Sequence, residues 1–402
     1  MKLPVYLDHH ATTPVDPRVL EAMMPYLTMD FGNAASTAHP FGWRAKEAVE
    51  KAREQVAHLI GAEPKEIIFT SGATESNNLA LKGAAQIYED KGNHLVTAAT
   101  EHKAVLDVCK YLSYQGKRIT ILEVDEKGRL ALENLEQALS DETILISLMH
   151  ANNEIGTIHP IETFGKIAHE RGIIFHVDAA QSAGKIPIDV KKYHIDLLSL
   201  SAHKLYGPKG VGALYVRHQN PRVRLTPLMH GGGHEEGLRS GTLNVPAIVG
   251  FGKASEIAAE EMSRESHRLE RLRDRLEQSL FKNIDQVYVN GDIESRLPHG
   301  LNMSFACVES ENLIMAVNDE LAVSSGSACT DGSVDTSHVL SALKLARDRA
   351  HTAIRFGLGR FNTEEEIDFA AARITEAVGK LRRLSPLWLE STGRDKIHRE
   401  SR

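Results

Sequence analysis

Cysteine is scarce in this chain, and its scarcity excludes one class of protein. Only three cysteines, Cys109, Cys307 and Cys329, occur among 402 residues, too few for a disulfide framework. We therefore expect a reducing compartment, with the cytoplasm as the default. Cys109 lies in a helical pattern and Cys307 in a strand pattern, and both are expected to be inert core thiols.

Long hydrophobic runs and an excess of positive charge are also missing. No apolar run approaches the roughly 18 residues that a membrane-spanning helix needs, and the N-terminal segment lacks the apolar core of a signal peptide. The net charge of −7 gives no reason to expect generic nucleic-acid binding. Hydrophobic residues at 42% and charged residues at 25% are typical of a soluble globular enzyme.

Short apolar runs alternate with helical patterns from about residue 66 to 216. Helix-like stretches, such as Ser76–Glu89 and Ile161–Arg171, separate several of the runs. This alternation predicts an α/β domain with a mostly parallel, seven-stranded sheet, whose ligands lie beyond the carboxyl ends of the strands. The predicted strands are Glu66–Thr70, His94–Thr100, Arg118–Val124, Thr143–His150, Ile173–Asp178, Asp196–Ser201 and Gly210–Val216.

A smaller α+β domain is predicted after a long helical pattern that starts at Gly252 and ends near Phe281. Its expected elements are the strands Gly300–Cys307 and Leu321–Ser324 and the helix Thr363–Leu381. We place the large domain at residues 16–260 and the small domain at residues 1–15 and 261–402. The polar stretch 391–402 is predicted to be a frayed tail.

The segment Ser201-Ala202-His203-Lys204 follows one of the buried strand patterns. An ordinary lysine has a pKa of about 10.4. Burial lowers that pKa and makes the nitrogen nucleophilic toward carbonyl groups. Lys204 is therefore a candidate Schiff-base lysine for pyridoxal phosphate, with Ser201 and His203 close enough to hold the phosphate. Taken alone, a solvated lysine that opens a Gly/Pro turn is the commoner case.

Other strand ends carry polar groups that suit the same ligand. The turn Ser71–Thr74 opens a helix, so its N–H groups and the Thr74 hydroxyl suit an anion, although a plain helix cap explains it too. Asp178 closes a strand, where a carboxylate would keep a pyridine nitrogen protonated; the alternative is a turn cap. His102 follows another strand and could stack on a flat ring, or be structural. Asn153 could hydrogen-bond a ring hydroxyl.

Three further features have two interpretations each. Cys329 lies in a loop of small residues from Ser324, which could extend roughly 15–20 Å and carry a reactive thiol, or be ordered around a structural cysteine. Arg355, in an apolar setting, suits a substrate carboxylate or an internal ion pair. His230 and His234 have the spacing of metal ligands, but the three glycines between them preclude a helix, and we expect a phosphate- or interface-contacting loop.

Together these residues resemble the cysteine desulfurases of the NifS/IscS type, in the class V aminotransferase family of pyridoxal phosphate enzymes with fold type I. The likeness runs from Tyr6-Leu7-Asp8 to about Trp388, with the motifs in family order. The stretch from Ser324 to Thr330 resembles the long-loop branch. The tail after Trp388 differs from that of the housekeeping iron–sulfur branch, which leaves the sulfur acceptor open.

The resemblance implies a role for each site residue. Lys204 would hold the cofactor and move the α-proton of the substrate, and His102 would stack on the ring. Cys329 would take the sulfur of L-cysteine as a persulfide, with L-alanine as the product. The remaining implied contacts are Ala73, Thr74, Asn153, Asp178, Gln181, Ser201, His203 and a neighbouring subunit's Thr242 for the cofactor, and Asn33 and Arg355 for the substrate carboxylate.

The implied protein is a homodimeric, pyridoxal phosphate-dependent cysteine desulfurase. It would pass sulfur to an iron–sulfur scaffold or to other acceptor proteins, such as those of tRNA thiolation, without membrane or nucleic-acid partners. No resident metal is implied, although Cys329 is a candidate transient ligand of an iron–sulfur cluster. A selenocysteine lyase or an aminotransferase on the same fold, and a non-catalytic sulfur-relay or assembly subunit, are the alternatives.

Overall fold

A computed structural model describes residues 1–325, 337–386 and 388. The strands, in chain order, are β1 (Val5–Tyr6), β2 (Ile67–Thr70), β3 (His94–Ala98), β4 (Arg118–Leu122), β5 (Thr143–Met149), β6 (Ile174–Asp178), β7 (Leu197–Ser201), β8 (Gly212–Val216), β9 (Val287–Val289), β10 (Gly300–Phe305), β11 (Leu321–Ala322) and β12 (Ala353–Gly357). The helices are α1 (Pro17–Thr28), α2 (Pro40–Ile60), α3 (Ala73–Ile87), α4 (Lys103–Tyr114), α5 (Leu132–Ala138), α6 (Ile161–Glu170), α7 (Val245–Asn283), α8 (Ser310–Val317), α9 (His338–Ala342), α10 (Arg347–His351) and α11 (Glu364–Leu384).

The central sheet has seven strands in the order β2-β8-β7-β6-β5-β3-β4. Only β8 runs against its neighbours, so the predicted mostly parallel sheet is confirmed. Strands β3, β5, β7 and β8 are buried along their whole length. Helices cover both faces of such a sheet, which explains why these strands read as continuous apolar runs.

Successive strand residues enter two different hydrophobic cores. In β7, Leu197 packs with apolar residues of α3 and α4, whereas Leu198 packs with those of α2, α6 and the first half of α7. This alternation follows from the two-residue period of a strand. The sheet therefore forms the middle layer of three, with helices packed on both of its faces.

Helix α7 connects two cores. Its first half packs against the central sheet, and its second half buries Leu269, Leu272, Leu276 and Leu280 in a second core with β10 and β12. The helix begins at Val245, earlier than predicted, because the Asn244 side chain accepts the N–H of Ala247 and caps it. The domain boundaries at residues 15/16 and 260/261 stay a prediction.

The second core contains an antiparallel sheet in the order β12-β10-β9, and the N-terminal strand β1 pairs with β11 nearby. The predicted helix at Thr363 is α11, and a capping box between Thr363 and Glu366 begins it. Strand β10 ends at Phe305, so Cys307 lies in a turn with φ 62° and not in the predicted strand. Within the described residues, no helix is long and apolar enough to cross a membrane.

Candidate active site

The polar residues predicted at strand ends lie at one edge of the central sheet. Asp178 closes β6, and Ser201 closes β7 just before a 3₁₀ turn that carries Lys204. His102 follows β3, and Asn153 follows β5. Strands β3, β5, β6 and β7 are consecutive and parallel, so their carboxyl ends meet at the same edge.

Asp178 is 5% exposed and has a donor on each oxygen. The N–H of Ala180 donates to Oδ1 at 2.9 Å, and Nδ2 of Asn77 donates to Oδ2 at 2.8 Å. Hydrogen bonds of this kind stabilise the ionised form of a carboxylate. The contact of Asn77 was missed in the sequence, although the residue stands in the motif that opens α3.

His102 caps α4, and this contact determines which ring nitrogen carries the proton. Its Nδ1 accepts the backbone N–H of Ala104 at 3.1 Å, so the neutral ring is protonated on Nε2. Burial lowers the pKa of His102, while the charge of Asp178 raises it and that of Lys204 lowers it. The charges of Asp178 and Lys204 thus act on the His102 ring in opposite directions.

Lys204 is half-buried, and its amine meets the N-terminal segment of the chain. The Nζ atom donates to the carbonyl oxygens of His10 and, at 2.8 Å, Ala11. The side chain of Gln181 donates to the same His10 carbonyl at 2.9 Å. Lys204 and Gln181, both predicted for the cofactor, therefore donate to the same acceptor. The sequence did not predict this acceptor, because a backbone carbonyl has no side-chain pattern that marks it.

Asn153 and Arg355 are joined through a backbone oxygen. The Asn153 carbonyl accepts from Nδ1 of His10 at 3.0 Å and from Nη1 of Arg355 at 3.1 Å. The side-chain Oδ1 of Asn153 is buried and has no hydrogen-bond partner among the described residues. A buried polar atom of this kind is costly unless a ligand satisfies it.

Arg355 is 1% exposed, and the structure shows one of its two interpretations, the internal ion pair; the substrate-carboxylate role stays a prediction. Its Nη2 donates to Oδ1 of Asp8 and to Oγ of Ser324, each at 2.9 Å, which is an internal ion pair. Its buried Nε has no hydrogen-bond partner among the described residues. The guanidinium thus keeps a donor for a carboxylate while its charge is already compensated.

Of the residues expected at the phosphate, Ser201 lies beside the turn that opens α3. Gly72, the residue before Ala73, has φ 151°, and a Cβ atom there would lie 4.0 Å from Oγ of Ser201. The first amides of α3 have no acceptor within the helix, and Thr74 is exposed beside them. Burial lowers the pKa of His203 to about 4, so this ring is a neutral hydrogen-bonding group.

Within the described residues, no hydrogen bond joins Asn33 or Thr242 to this cluster. Asn33 is exposed, its Oδ1 accepts the N–H of Ala35, and no hydrogen bond between described residues joins it to Arg355. Thr242 is exposed and shares a cleft of about 150 Å³ with Ser71. Cys329 lies outside the described residues, as does the tail 391–402.

A cleft of about 720 Å³ lies between α2 and the segment Gly233–Glu236, and its lining contains none of the residues predicted for the cofactor or the substrate. His234 lines this cleft. Among the residues that the structure describes, no three His, Cys, Asp or Glu side chains form a possible metal site.

Known proteins match this chain over nearly its whole length. The family model for aminotransferase class-V matches residues 5–369. The cysteine desulfurase IscS of Anaeromyxobacter sp. (strain Fw109-5) is 60% identical over 388 residues, and that of Shewanella loihica is 58% identical over 390, each alignment covering 96% of both chains.

Solved structures agree with these relatives. A NifS-like protein superimposes with a TM-score of 0.87 at 42% identity, covering 94% of this chain and all of that one. The apo cysteine desulfurase from Thermococcus onnurineus NA1 gives a TM-score of 0.83 at 27% identity, covering 94% of this chain and 95% of that one. The chain therefore belongs to the class V aminotransferase family and, within it, to the cysteine desulfurases of the NifS/IscS type.

Proposed function

We propose that this chain converts L-cysteine into L-alanine with pyridoxal phosphate and keeps the sulfur as a persulfide on Cys329. One observation carries the proposal: Asp178, Lys204 and His102 each follow or close a strand at the same carboxyl edge of the parallel part of the sheet. An amine, a carboxylate and a flat ring are the groups that a pyridine aldehyde cofactor needs.

The residues at this edge fit pyridoxal phosphate. Lys204 would hold its aldehyde carbon, and Asp178 would pair with the ring nitrogen. The unpartnered Oδ1 of Asn153 supports this assignment, because a ring hydroxyl can donate to it. The other proposed contacts are Gln181 at the ring oxygen, His102 on the ring face, and Ala73, Thr74, Ser201, His203 and the partner subunit's Thr242 at the phosphate.

When bound, pyridoxal phosphate supplies a sink for the electron pair that remains on the α-carbon after its proton leaves. Lys204 takes that proton as a free amine, and the carbonyls of His10 and Ala11 keep its Nζ near the site. His102 remains neutral because burial lowers its pKa. Since its Nδ1 accepts the N–H of Ala104, the ring proton is on Nε2, which is a hydrogen-bond donor. Arg355, assisted by Asn33, holds the substrate carboxylate.

The sulfur step is assigned to Cys329. Its thiolate attacks the substrate sulfur, so an S–S bond forms while the C–S bond of cysteine breaks. The electron pair of the broken bond goes to the β-carbon, which takes up a proton as alanine forms. The thiol needs a base or a lowered pKa, since an ordinary cysteine is only a few per cent thiolate at neutral pH.

We further propose a homodimer, in which Thr242 reaches the neighbouring site, and a cytoplasmic location, which suits a chain with three cysteines. The persulfide sulfur would pass to an acceptor protein for iron–sulfur cluster assembly or another sulfur-containing product. The relatives named IscS support the first of these destinations.

The decisive experiment measures alanine and sulfide release from L-cysteine in the presence of a thiol reductant. The parent should produce both in equal amounts, the Cys329→Ala variant should produce neither, and Cys307→Ala, which removes a half-buried thiol, should behave like the parent. Undiminished turnover by Cys329→Ala would refute the persulfide step. A parent that binds pyridoxal phosphate and releases neither product would refute the desulfurase proposal.

A further inference from the structure

Asn77 is a fully buried polar residue that the proposed mechanism does not use. It lies in α3, has an exposed fraction of 0%, and donates from Nδ2 to Oδ2 of Asp178 at 2.8 Å. Its Oδ1 is buried without a hydrogen-bond partner among the described residues. An amide that is only half satisfied in a core is expensive, so the single bond to Asp178 needs a reason.

The orientation of this amide follows from the chemistry of its partner. An ionised carboxylate only accepts hydrogen bonds, so Asn77 must present its NH₂ group to Asp178. The N–H of Ala180 already donates to the other oxygen, Oδ1, at 2.9 Å. Each oxygen of Asp178 therefore has one donor from the protein.

The position of Asn77 in its helix links two parts of the site. Helix α3 begins at Ala73 with the amides assigned to the phosphate, and Asn77 lies about 6 Å further along the helix axis, at a rise of ~1.5 Å per residue. One helix thus carries both the amides that would bind the phosphate and the side chain that contacts Asp178, which would pair with the ring nitrogen.

We propose that Asn77 is a positioning residue that holds Asp178 as a carboxylate and thereby keeps the proton on the ring nitrogen of pyridoxal phosphate. This inference rests on the proposed function and goes beyond it. Without the N–H of Asn77, the negative charge of Asp178 is less stabilised, and the shared proton moves from the nitrogen toward the carboxylate. A ring nitrogen without its proton is a weaker electron sink.

The substitution Asn77→Asp tests charge separately from shape. Aspartate has nearly the shape of asparagine, so a packing role would be preserved. However, ionised aspartate has no N–H donor and places a second negative charge against Asp178, which raises the proton affinity of Asp178 and draws the proton away from the ring nitrogen. The proposal therefore ranks Asn77→Asp below Asn77→Ala, whereas a packing role ranks them in the reverse order.

The experiment uses the protein loaded with pyridoxal phosphate that carries ¹⁵N in its ring. The ¹⁵N chemical shift should move toward that of unprotonated pyridine in Asn77→Ala and further in Asn77→Asp. We expect kcat for alanine release to fall about 10-fold and 30-fold or more, respectively, with KM for L-cysteine nearly unchanged. The matched control is Asn78→Ala, which removes the neighbouring amide, bonded to the Thr74 carbonyl, and should keep the parent shift.

The outcomes separate this inference from the proposed function. An Asn77→Asp variant with the parent's shift and kcat overturns the role of Asn77 alone. If Asn77→Asp does not fold, the shift of Asn77→Ala decides in the same way. A loss of thermal stability in both variants with an unmoved ¹⁵N shift also overturns the proposal. A parent that does not bind pyridoxal phosphate overturns the proposed function and this inference together.

Discussion

Glu154 offers a quantitative test of the buried electrostatics beside the site. It follows Asn153, is 5% exposed, and accepts a hydrogen bond from Oγ of Ser337. Burial raises its pKa from 4.5 to about 7. A carboxyl with a raised pKa stabilises the fold fully below the unfolded value of 4.5 and loses that contribution as the pH rises through 7. Between pH 5 and 8.5 this loss is about 2–3 kcal/mol.

The substitution Glu154→Gln removes the ionisation and keeps an acceptor for Ser337. The free energy of unfolding of the variant, relative to the parent, should therefore rise by about 2–3 kcal/mol between pH 5 and 8.5. Urea unfolding of the pyridoxal phosphate-loaded proteins, followed by tryptophan fluorescence, measures this difference. Glu123→Gln, at an exposed residue paired with Lys344, is the control and should show no such rise. Parallel pH profiles for the parent and Glu154→Gln would refute the argument.

Three further substitutions have expected outcomes. Arg355→Lys cannot keep the forked contacts of the guanidinium, so KM for L-cysteine should rise about 10-fold or more in steady-state assays, with kcat less affected. The control Arg44→Lys, at an exposed arginine, should keep the KM of the parent. An unchanged KM in Arg355→Lys would contradict the carboxylate role. In Gly212→Ala, the new Cβ would lie 2.6 Å from Cα of Gly72. Equilibrium dialysis should therefore show weaker cofactor binding, and urea denaturation should show a free energy of unfolding lower by about 1–3 kcal/mol. Gly379→Ala meets only a flexible arginine end at 3.7 Å, so it should stabilise α11 by about 0.5–1 kcal/mol in urea unfolding.

The residues at strand ends could be predicted because two local signals coincide there. Asp178 and Lys204 each combine an ionisable group with the end of an apolar run, and the parallel sheet brings such ends together. The role of Gln181 was predicted only from the family resemblance, because no sequence pattern around this residue marks it as part of a site. Its neighbour in the structure, Lys204, meets the same carbonyl.

The contacts that could not be predicted join distant parts of the chain or involve the backbone. The carbonyl of His10 lies 194 positions from Lys204 in sequence, and Asp8 lies 347 positions from Arg355. No local sequence pattern predicts which backbone carbonyl a lysine contacts or which carboxylate pairs with a buried arginine. The start of α7 was missed for a different reason, because its first residues lack the charged pattern that marks the rest of the helix.

The pairing of β1 with β11 has a consequence for synthesis on the ribosome. Val5 pairs with Leu321, more than 300 residues later. At about 5–20 residues per second, the first strand waits roughly 15–60 s before its partner emerges. The central sheet, complete at Val216, can form during that wait. Arg355, which we propose to hold the substrate carboxylate, comes still later, so the nascent chain acquires Lys204 and Asp178, proposed for the cofactor, well before it acquires this arginine.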